Sequence, residues 1–179
     1  VVVGGAGPGA AAVGGGGCAG AEGWPQGRAP RRVAVSAGTG VRQSWPDGGP
    51  KVTWQASGLG TGYSSVVVGR GRLFTIGRRV ADVVATALDA ATGKQKWTYD
   101  PEVADDQIPY TAACRGVAYF AQPSVDAAQP CATRIIEGTL DGRLIAVDAR
   151  TGVPCAGFGT NGAVSIKIGM GEPYPGRLS

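Results

Sequence analysis

The chain has 179 residues, of which 32 are glycine, 12 are proline and 43% are hydrophobic. Turn-forming residues in this abundance favour many short strands joined by tight turns, and the absence of a Gly-x-y period excludes collagen. The formal net charge is +4 and there is no histidine, which excludes Ser-His-Asp and Cys-His nucleophile systems and the usual catalytic zinc sites.

The basic residues do not form a nucleic-acid-binding pattern. They are scattered along the chain, and only Arg28–Arg32 and Arg70–Arg79 are clusters. Nucleic-acid recognition favours a basic face with interleaved aromatic residues. We therefore interpret these charges as solvated strand ends and turns, and we expect no nucleic-acid partner.

The first 23 residues form a low-complexity leader with no charge before Glu22. This segment is too rich in glycine for a membrane-spanning helix. It resembles the end of a secretory or lipoprotein signal at Cys18, although it has no basic n-region and no initial methionine. An export-signal remnant and a disordered leader both remain open, and we place the folded domain at residues 24–179.

Alternating apolar residues predict a series of strands from residue 51 onward. The segments are KVTWQAS (51–57), SSVVVG (64–69), RLFTIG (72–77), DVVATALD (82–89), KQKWTYD (94–100), RGVAYFAQ (115–122), ATRIIEGTL (132–140) and RLIAVDA (143–149). Segments 64–69 and 72–77 form a predicted hairpin. An Asp141-Gly142 turn of type I′ is expected to join the last two strands. The fold class is therefore all-β.

A repeated Asp-Ala-x-Thr-Gly unit follows two of these strands, at residues 89–93 and 148–152. The Asp carboxylate and the Thr hydroxyl can accept backbone N–H bonds within the turn, and the Gly supplies a left-handed conformation. Asp89 and Asp148 are therefore interpreted as structural residues, and Asp105 and Asp106 as solvated ones. Repeated strand-turn-strand units predict stacked four-stranded sheets, as in the blades of a β-propeller.

The segment LDAATGKQKW (88–97) resembles the tryptophan-docking repeat of quinoproteins, which are propellers that bind pyrroloquinoline quinone (PQQ). In that family the tryptophan packs between adjacent blades. The second copy departs from the repeat, because Val153-Pro154-Cys155 follows the turn and Phe158 stands nearby instead of tryptophan.

A longer stretch, from about Ala87 to Pro175, is similar to the glucose/quinate branch of membrane-bound PQQ-dependent dehydrogenases. It carries CRGVAYF (114–120) and the cysteine-bearing hairpin from Cys131 to Ile166 in the family's order. The earlier part is more similar to PQQ-like propellers that are not dehydrogenases. The chain is therefore interpreted as a mosaic, or as a sequence disturbed near its start.

The resemblance implies PQQ and Ca²⁺ as cofactors, with Arg115 in CRGVAYF and Thr139 in GTLDGRL as cofactor-binding residues. PQQ is a tricarboxylate and favours guanidinium and backbone N–H partners. The family's catalytic aspartate, calcium ligands and tryptophan floor have no matching stretch in this sequence. We therefore assign no catalytic residue and no metal ligand.

Blade length indicates an incomplete propeller. A blade needs about 40 to 45 residues, so residues 24–179 predict about three four-stranded blades, whereas a closed propeller has about 4 to 8. We expect that this chain with added PQQ and Ca²⁺ does not oxidise glucose or alcohols, and that the missing blades are its partners.

Cys131 and Cys155 are the best candidate pair for a disulfide, because folding the 132–149 hairpin brings them near each other. Two buried reduced thiols are the alternative. Cys114 is interpreted as a small buried residue, since no base is present to form its thiolate. Lipidation of Cys18 stays open.

Three functional hypotheses follow. The first is a fragment of a PQQ-dependent dehydrogenase that oxidises sugars or alcohols by hydride transfer, with a quinone or other electron acceptor, in the periplasm or on the periplasmic face of a membrane. The second is a non-catalytic propeller scaffold that binds other proteins. The third is a degraded or mispredicted reading frame.

Overall fold

Eleven strands in three antiparallel sheets are the regular elements of the described residues. The structure is a computed structural model that describes residues 2–3, 11–14, 23–26, 28, 32, 44, 47–49, 52–79, 82–103 and 116–169. Within these ranges, no helix combines the length and the hydrophobicity that crossing a membrane requires.

The strands run in chain order through three sheets. The first sheet has the order β1-β2-β3, the second β4-β5-β6-β7 and the third β8-β9-β10-β11. Their bounds are β1 (Val2–Val3), β2 (Ala11–Gly14), β3 (Val52–Ala56), β4 (Val67–Gly69), β5 (Arg72–Arg79), β6 (Asp82–Asp89), β7 (Gln95–Tyr99), β8 (Ala118–Ala121), β9 (Thr133–Gly138), β10 (Arg143–Asp148) and β11 (Ala163–Ser165).

The two four-stranded sheets are antiparallel meanders, which is the form of propeller blades. We call β4–β7 the first blade and β8–β11 the second blade. This arrangement confirms the predicted all-β class and fits a partial propeller. The predicted strands lie within one to three residues of the observed bounds, except that β1, β2 and β11 were not predicted.

The β4–β5 hairpin is closed by a two-residue turn at Arg70–Gly71. Gly69 pairs with Arg72, and the φ angles of Arg70 and Gly71 are +46° and +72°. Two successive positive φ angles between paired strands define the type I′ turn, whose twist matches that of the strands. The hairpin predicted at this position is therefore confirmed.

The β9–β10 turn differs from the prediction. The Gly142 N–H donates to the Thr139 carbonyl at 3.0 Å, and the Thr139 N–H donates to the Arg143 carbonyl at 2.8 Å. Gly142 has a φ of +80°, whereas Asp141 is not among the residues of positive φ. The connection is a three-residue loop in which a type I turn is followed by a left-handed glycine, so the predicted type I′ turn was wrong.

The central strands of the first blade are buried on both faces. In β5, Phe74 and Leu73 are each 1% exposed although successive side chains point to opposite faces. In β6, Ala87 and Leu88 show the same pattern. A sheet covered on both faces is what stacked blades require.

The two blades share one hydrophobic core. The core combines Phe74 and Ile76 of the first blade with Ile135 and Ile145 of the second. The ring of Phe74 lies 5.9 Å from that of Trp97, centroid to centroid. The blades also meet at a parallel bridge between Ser65 and Gly116, so they run in the same direction.

A tryptophan from one blade docks on the Asp-Ala-x-Thr-Gly turn of the next. The Trp97 Nε1–H donates to the Ala149 carbonyl at 3.2 Å, and a Cβ built on Gly152 would lie 2.8 Å from Cδ2 of Trp97. Trp97 therefore packs on the following blade, between adjacent blades as the resemblance implied.

The preceding sheet repeats this contact. The Trp54 Nε1–H donates to the Ala90 carbonyl at 3.1 Å, and a Cβ on Gly93 would meet the Trp54 ring. Trp54 is in β3, whereas Trp97 is in β7, so the docking interaction recurs from sheet to sheet.

Phe158, which stands near the second docking turn instead of tryptophan, lies in a turn. The Phe158 N–H donates to the Cys155 carbonyl at 2.7 Å. The outer strand of the second blade is instead β11, which pairs Val164 with Leu144. Residues 156–162 therefore lengthen the connection between the docking turn and the outer strand.

The first sheet includes residues from the predicted leader. In β1 and β2, residues 2–3 and 11–14 pair with each other, and Val13 pairs with Trp54 of β3. The domain boundary expected at residue 24 stays a prediction.

The docking interface predicts an unequal response to two glycine substitutions. Gly152→Ala places a methyl group against Trp97 at a φ of +75°. Gly71→Ala has a φ of +72°, and its new Cβ would have no atom of the described residues within 4 Å apart from its chain neighbours. We expect Gly71→Ala to lower the free energy of unfolding by about 1 kcal/mol, and Gly152→Ala by roughly 1–3 kcal/mol more, through overpacking.

Urea denaturation followed by circular dichroism measures both values. The Gly71→Ala variant is the matched control, because it carries the backbone cost without the clash. Equal losses in the two variants would contradict the docking contact.

Candidate functional site

Two ends of the blades can be distinguished by their connections. We call the end with the Arg70–Gly71 turn and the 90–93 and 149–152 turns the Arg70 end. We call the opposite end, with Pro101, Gly116 and the 139–142 loop, the Pro101 end. Strands alternate in direction within a meander, so successive connections lie at opposite ends.

The two predicted cofactor-binding residues have different outcomes. Arg115 lies outside the described residues, as do Asp105, Asp106, Cys18 and Cys114. Gly116, which follows Arg115 in the chain and precedes β8, forms a parallel bridge with Ser65, which precedes β4. Thr139 lies in the loop at the same Pro101 end.

The Thr139 side chain is bound within its own hairpin. It is 4% exposed, its hydroxyl accepts the Arg143 N–H at 3.0 Å, and it donates to the Asp141 carboxylate. The Thr139 hydroxyl oxygen also lies 3.0 Å from the Arg143 carbonyl oxygen, so its single proton must leave an acceptor within this hairpin before it can be donated to a ligand.

Arg143 ties this hairpin to the preceding blade. Its Nε–H lies 2.7 Å from Asp141 Oδ2, and a terminal guanidinium nitrogen donates to the Pro101 carbonyl at 2.7 Å. Pro101 follows the outer strand of the first blade. The loop bearing Thr139 is thus fixed by a chain of charged contacts that joins the two blades.

Glu137 is a buried acid that the sequence analysis missed. It is 3% exposed in β9, and neither carboxyl oxygen has a hydrogen-bond partner among the described residues. Burial raises the pKa of Glu137 to about 8, Arg143 opposes this, and Asp100 adds to it. Glu137 is therefore largely protonated and uncharged at neutral pH.

The signal for Glu137 was present in the alternation of TRIIEG. Thr133, Ile135 and Glu137 share the inward face of β9 because side chains alternate along a strand. Nearby, burial and Glu137 raise the pKa of Tyr99 above its ordinary value.

The aspartates of the two repeated turns are structural, as predicted. Asp89 accepts hydrogen bonds from the backbone of Ala91 and Thr92 and from the Thr92 hydroxyl, at 3.0–3.1 Å. Hydrogen bonds from Lys96 and Thr92 lower the pKa of Asp89 to about 2.

Asp148 is more deeply buried than Asp89. It accepts the Cys131 N–H at 2.6 Å and the Arg150 N–H at 2.7 Å. Burial acts to raise its pKa, but these hydrogen bonds and that from Thr151 prevail and lower it. Both carboxylates accept several hydrogen bonds in or beside these turns, and we therefore assign neither of them a catalytic role.

Cys131 and Cys155 form a disulfide with Cα atoms 5.8 Å apart, in agreement with the predicted pairing. The bond joins the β8–β9 connection to the residues after the docking turn, at the Arg70 end. Cys155 is 1% exposed, so its half of the disulfide is shielded from solvent.

The described residues do not by themselves form the implied cofactor site. No group of three or more Cys, Asp or Glu residues in the described ranges is placed to hold a metal ion. Thr139 is the one predicted contact among them, and its hydroxyl is mostly engaged within the hairpin.

Comparison with known proteins identifies the fold family. The family model described as "PQQ: Glucose/ethanol/alcohol dehydrogenase, beta-propeller domain" matches residues 55–179. The chain is 53% identical over 92 residues to the glycerol dehydrogenase large subunit of Gluconobacter oxydans (strain 621H), covering 51% of this chain and 12% of that protein. It is 40% identical over 95 residues to the quinoprotein glucose dehydrogenase of Escherichia coli (strain K12), covering 50% and 12%.

Among solved structures, a quinohemoprotein alcohol dehydrogenase, ADHIIG from Pseudomonas putida HK5, is similar with 31% identity. The match has a TM-score of 0.39 and covers 52% of this chain and 12% of that one. The chain thus spans 12% of the length of the curated relatives above.

The burial of Glu137 predicts a pH-dependent stability. An acid whose folded pKa of about 8 exceeds its unfolded pKa of about 4.3 stabilises the folded state most below the unfolded pKa. Stability should then fall by a few kcal/mol as the pH rises from about 4.5 to about 8, and level off above that.

We expect Glu137→Gln to flatten this slope, because the amide stays neutral at every pH. Urea midpoints measured at intervals across this pH window test the prediction. Glu102→Gln, which removes an exposed acid, is the control and should leave the slope unchanged. Identical slopes in Glu137→Gln and the unmodified chain would refute the buried neutral acid.

Proposed function

Because the chain belongs to the β-propeller family of the PQQ-dependent glucose, ethanol and alcohol dehydrogenases, we propose that it forms adjacent propeller blades of such an enzyme. The enzyme would oxidise a sugar or alcohol by transferring hydride to PQQ, and pass the electrons to a quinone or another acceptor. The family match over residues 55–179 is the observation that carries the proposal.

The geometry of the blades supports this assignment. Both described blades run in the same direction and are joined by the Trp97 contact with Ala149 and Gly152. Further blades of the same propeller are the proposed partners. They would stack in the same way, since each docking turn receives the tryptophan of the preceding sheet.

We propose Arg115 and Thr139 as cofactor contacts at the Pro101 end. Gly116, which follows Arg115 in the chain, and the 139–142 loop that carries Thr139 both lie there, and this supports the proposal. The Arg115 guanidinium would bind a PQQ carboxylate. The Thr139 hydroxyl would donate to a PQQ oxygen in place of the Asp141 carboxylate, while the Arg143 N–H continues to hold its oxygen in position. Calcium would be held by residues outside the described ranges.

The Cys131–Cys155 disulfide supports an oxidising compartment. We therefore propose a periplasmic location, or the periplasmic face of a membrane. The disulfide predicts that trypsin digestion without reductant yields residues 116–134 linked to residues 151–167. Mass spectrometry should detect this pair and its loss on reduction, whereas two separate unlinked peptides would contradict it.

A non-catalytic scaffold is the second candidate function. It is favoured by the turn aspartates, since Asp89 and Asp148 are both consumed by backbone N–H bonds. In this case the propeller would bind other proteins without PQQ.

Titration of the chain with PQQ and Ca²⁺, followed by tryptophan fluorescence, separates the two candidates. We expect saturable quenching, with Arg115→Gln raising the dissociation constant at least about tenfold through loss of a charge-assisted bond. Thr139→Ser should bind like the unmodified chain, and Thr139→Val more weakly, because serine keeps the hydroxyl.

Lys94→Asn is the control for a simple loss of charge and should not alter binding, because Lys94 is exposed at the Arg70 end. Absence of saturable quenching would overturn the cofactor proposal and favour the scaffold. We expect no dye reduction with glucose, glycerol or ethanol from this chain alone, and turnover would show that it carries its own catalytic base.

A further inference from the structure

A cavity of about 290 Å³ lies between the two blades at the Arg70 end. Tyr119, which is half-buried, forms an aromatic wall and is backed by the buried Phe74, with ring centroids 5.9 Å apart and an interplanar angle of 27°. Arg70, Arg72 and Arg150 line the cavity. The remaining lining residues are mainly glycine and alanine, which leave the space open.

The cavity is positively charged. None of its lining residues, all of which are within the described ranges, carries a carboxylate. The nearest acidic contact is between Arg150 Nε and Asp148 Oδ1, at 3.9 Å, and that carboxylate already accepts three backbone N–H bonds. The ion pair is weak because of its 3.9 Å separation and the solvent exposure of Arg150.

Arg72 is held in place by a hydrogen bond, whereas Arg70 is exposed to solvent. A terminal nitrogen of Arg72 donates to the Ala149 carbonyl at 2.8 Å, which holds its guanidinium at the cavity between the blades. Arg70 is exposed at the mouth. The guanidinium groups of Arg70 and Arg150 can therefore bind an anion, whereas that of Arg72 helps to fix the wall of the cavity.

Arg70 also occupies a backbone position that arginine seldom adopts. Its φ is +46° at the first position of the type I′ turn, where Asn, Asp and Gly are preferred. A long cationic side chain in this conformation carries a backbone cost that Asn would avoid. Such a cost at the mouth of a cavity is typical of functional positions.

The aromatic wall has features of its own. A Cβ on Gly69 would lie 2.9 Å from the Tyr119 ring, so the ring lies directly against the Gly69 backbone. The Tyr119 hydroxyl is buried and has no hydrogen-bond partner among the described residues. Flat apolar surface next to guanidinium groups favours a ligand that is itself flat and anionic.

We propose that this cavity binds an aromatic carboxylate. The ring of the ligand would pack against Tyr119, and its carboxylate would pair with Arg70 and Arg150. A cavity of ~150 Å³ accommodates benzene, so the volume here suffices for a ring with one or two carboxylates.

Isothermal titration of the full chain with benzene-1,3-dicarboxylate tests the proposal. We expect saturable binding that weakens as salt is raised, because the contacts are ionic. Cyclohexane-1,3-dicarboxylate tests the aromatic wall, the neutral diamide of the same acid tests the charge, and inorganic phosphate tests a simple anion site. All three should bind at least about fivefold more weakly.

Two substitutions locate the binding. Arg70→Asn removes the guanidinium while placing a residue that type I′ turns prefer, so folding should be preserved. Arg150→Ala removes an exposed side chain. Each should raise the dissociation constant at least about fivefold, whereas Lys94→Asn, at the same end but outside the cavity lining, should leave it unchanged.

The outcomes decide the proposal in either direction. Weaker binding in Arg70→Asn with an unfolding midpoint that is unchanged or raised supports it. Unchanged binding in both arginine variants, an equal effect of Lys94→Asn, or equal affinity for phosphate would overturn it. Because PQQ is also a flat carboxylate, Arg70→Asn is included in the PQQ titration. An unchanged affinity for PQQ in this variant, with weaker binding in Arg115→Gln, separates the two sites.

Discussion

The contact of a tryptophan indole with the glycine of the following turn is the interaction on which the rest of the structure depends. Trp97 reaches across from the first blade to the Ala149 carbonyl and the Gly152 backbone, which sets the separation of the two sheets. That separation then allows Phe74, Ile135 and Ile145 to form one core. Any side chain in place of Gly152 would push the blades apart, so glycine is required both for the close approach and for the positive φ.

The docking turns also explain why Asp89 and Asp148 are assigned a structural role and not a catalytic one. Asp89 and Asp148 each accept several backbone N–H bonds, which lowers their pKa values and keeps them ionised. The acid with an altered protonation state is Glu137, which lies in the interface between blades and is held neutral by burial. The two ends of the blades thus differ: docking turns, the disulfide and an arginine-lined cavity occupy one, and the Thr139 loop with its links to Pro101 occupies the other.

Local patterns predicted much of this architecture. Alternation located most strands within a few residues, the Asp-Ala-x-Thr-Gly unit predicted its own hydrogen bonds, and hairpin register brought Cys131 near Cys155. Contacts between sheets were harder to predict, because no local sequence pattern indicates that Trp54 makes the same docking contact as Trp97. The loop at Asp141–Gly142 was misassigned because Asp-Gly also suits a three-residue loop in which only the glycine needs a positive φ. Glu137 was overlooked because a glutamate is normally expected to be exposed to solvent, whereas its position in the alternation of β9 places it on the inward face.

Proton NMR of the glycine Hα resonances tests the docking interaction most directly. The account predicts that the Hα signals of Gly152 and Gly93 are shifted upfield by the indole rings of Trp97 and Trp54, with NOEs to those rings. Gly71, with a similar φ and no aromatic ring of the described residues within 4 Å of an added Cβ, should show neither effect. Ordinary Hα shifts for Gly152 and Gly93, without NOEs to any indole, would contradict the stacking of these sheets as propeller blades.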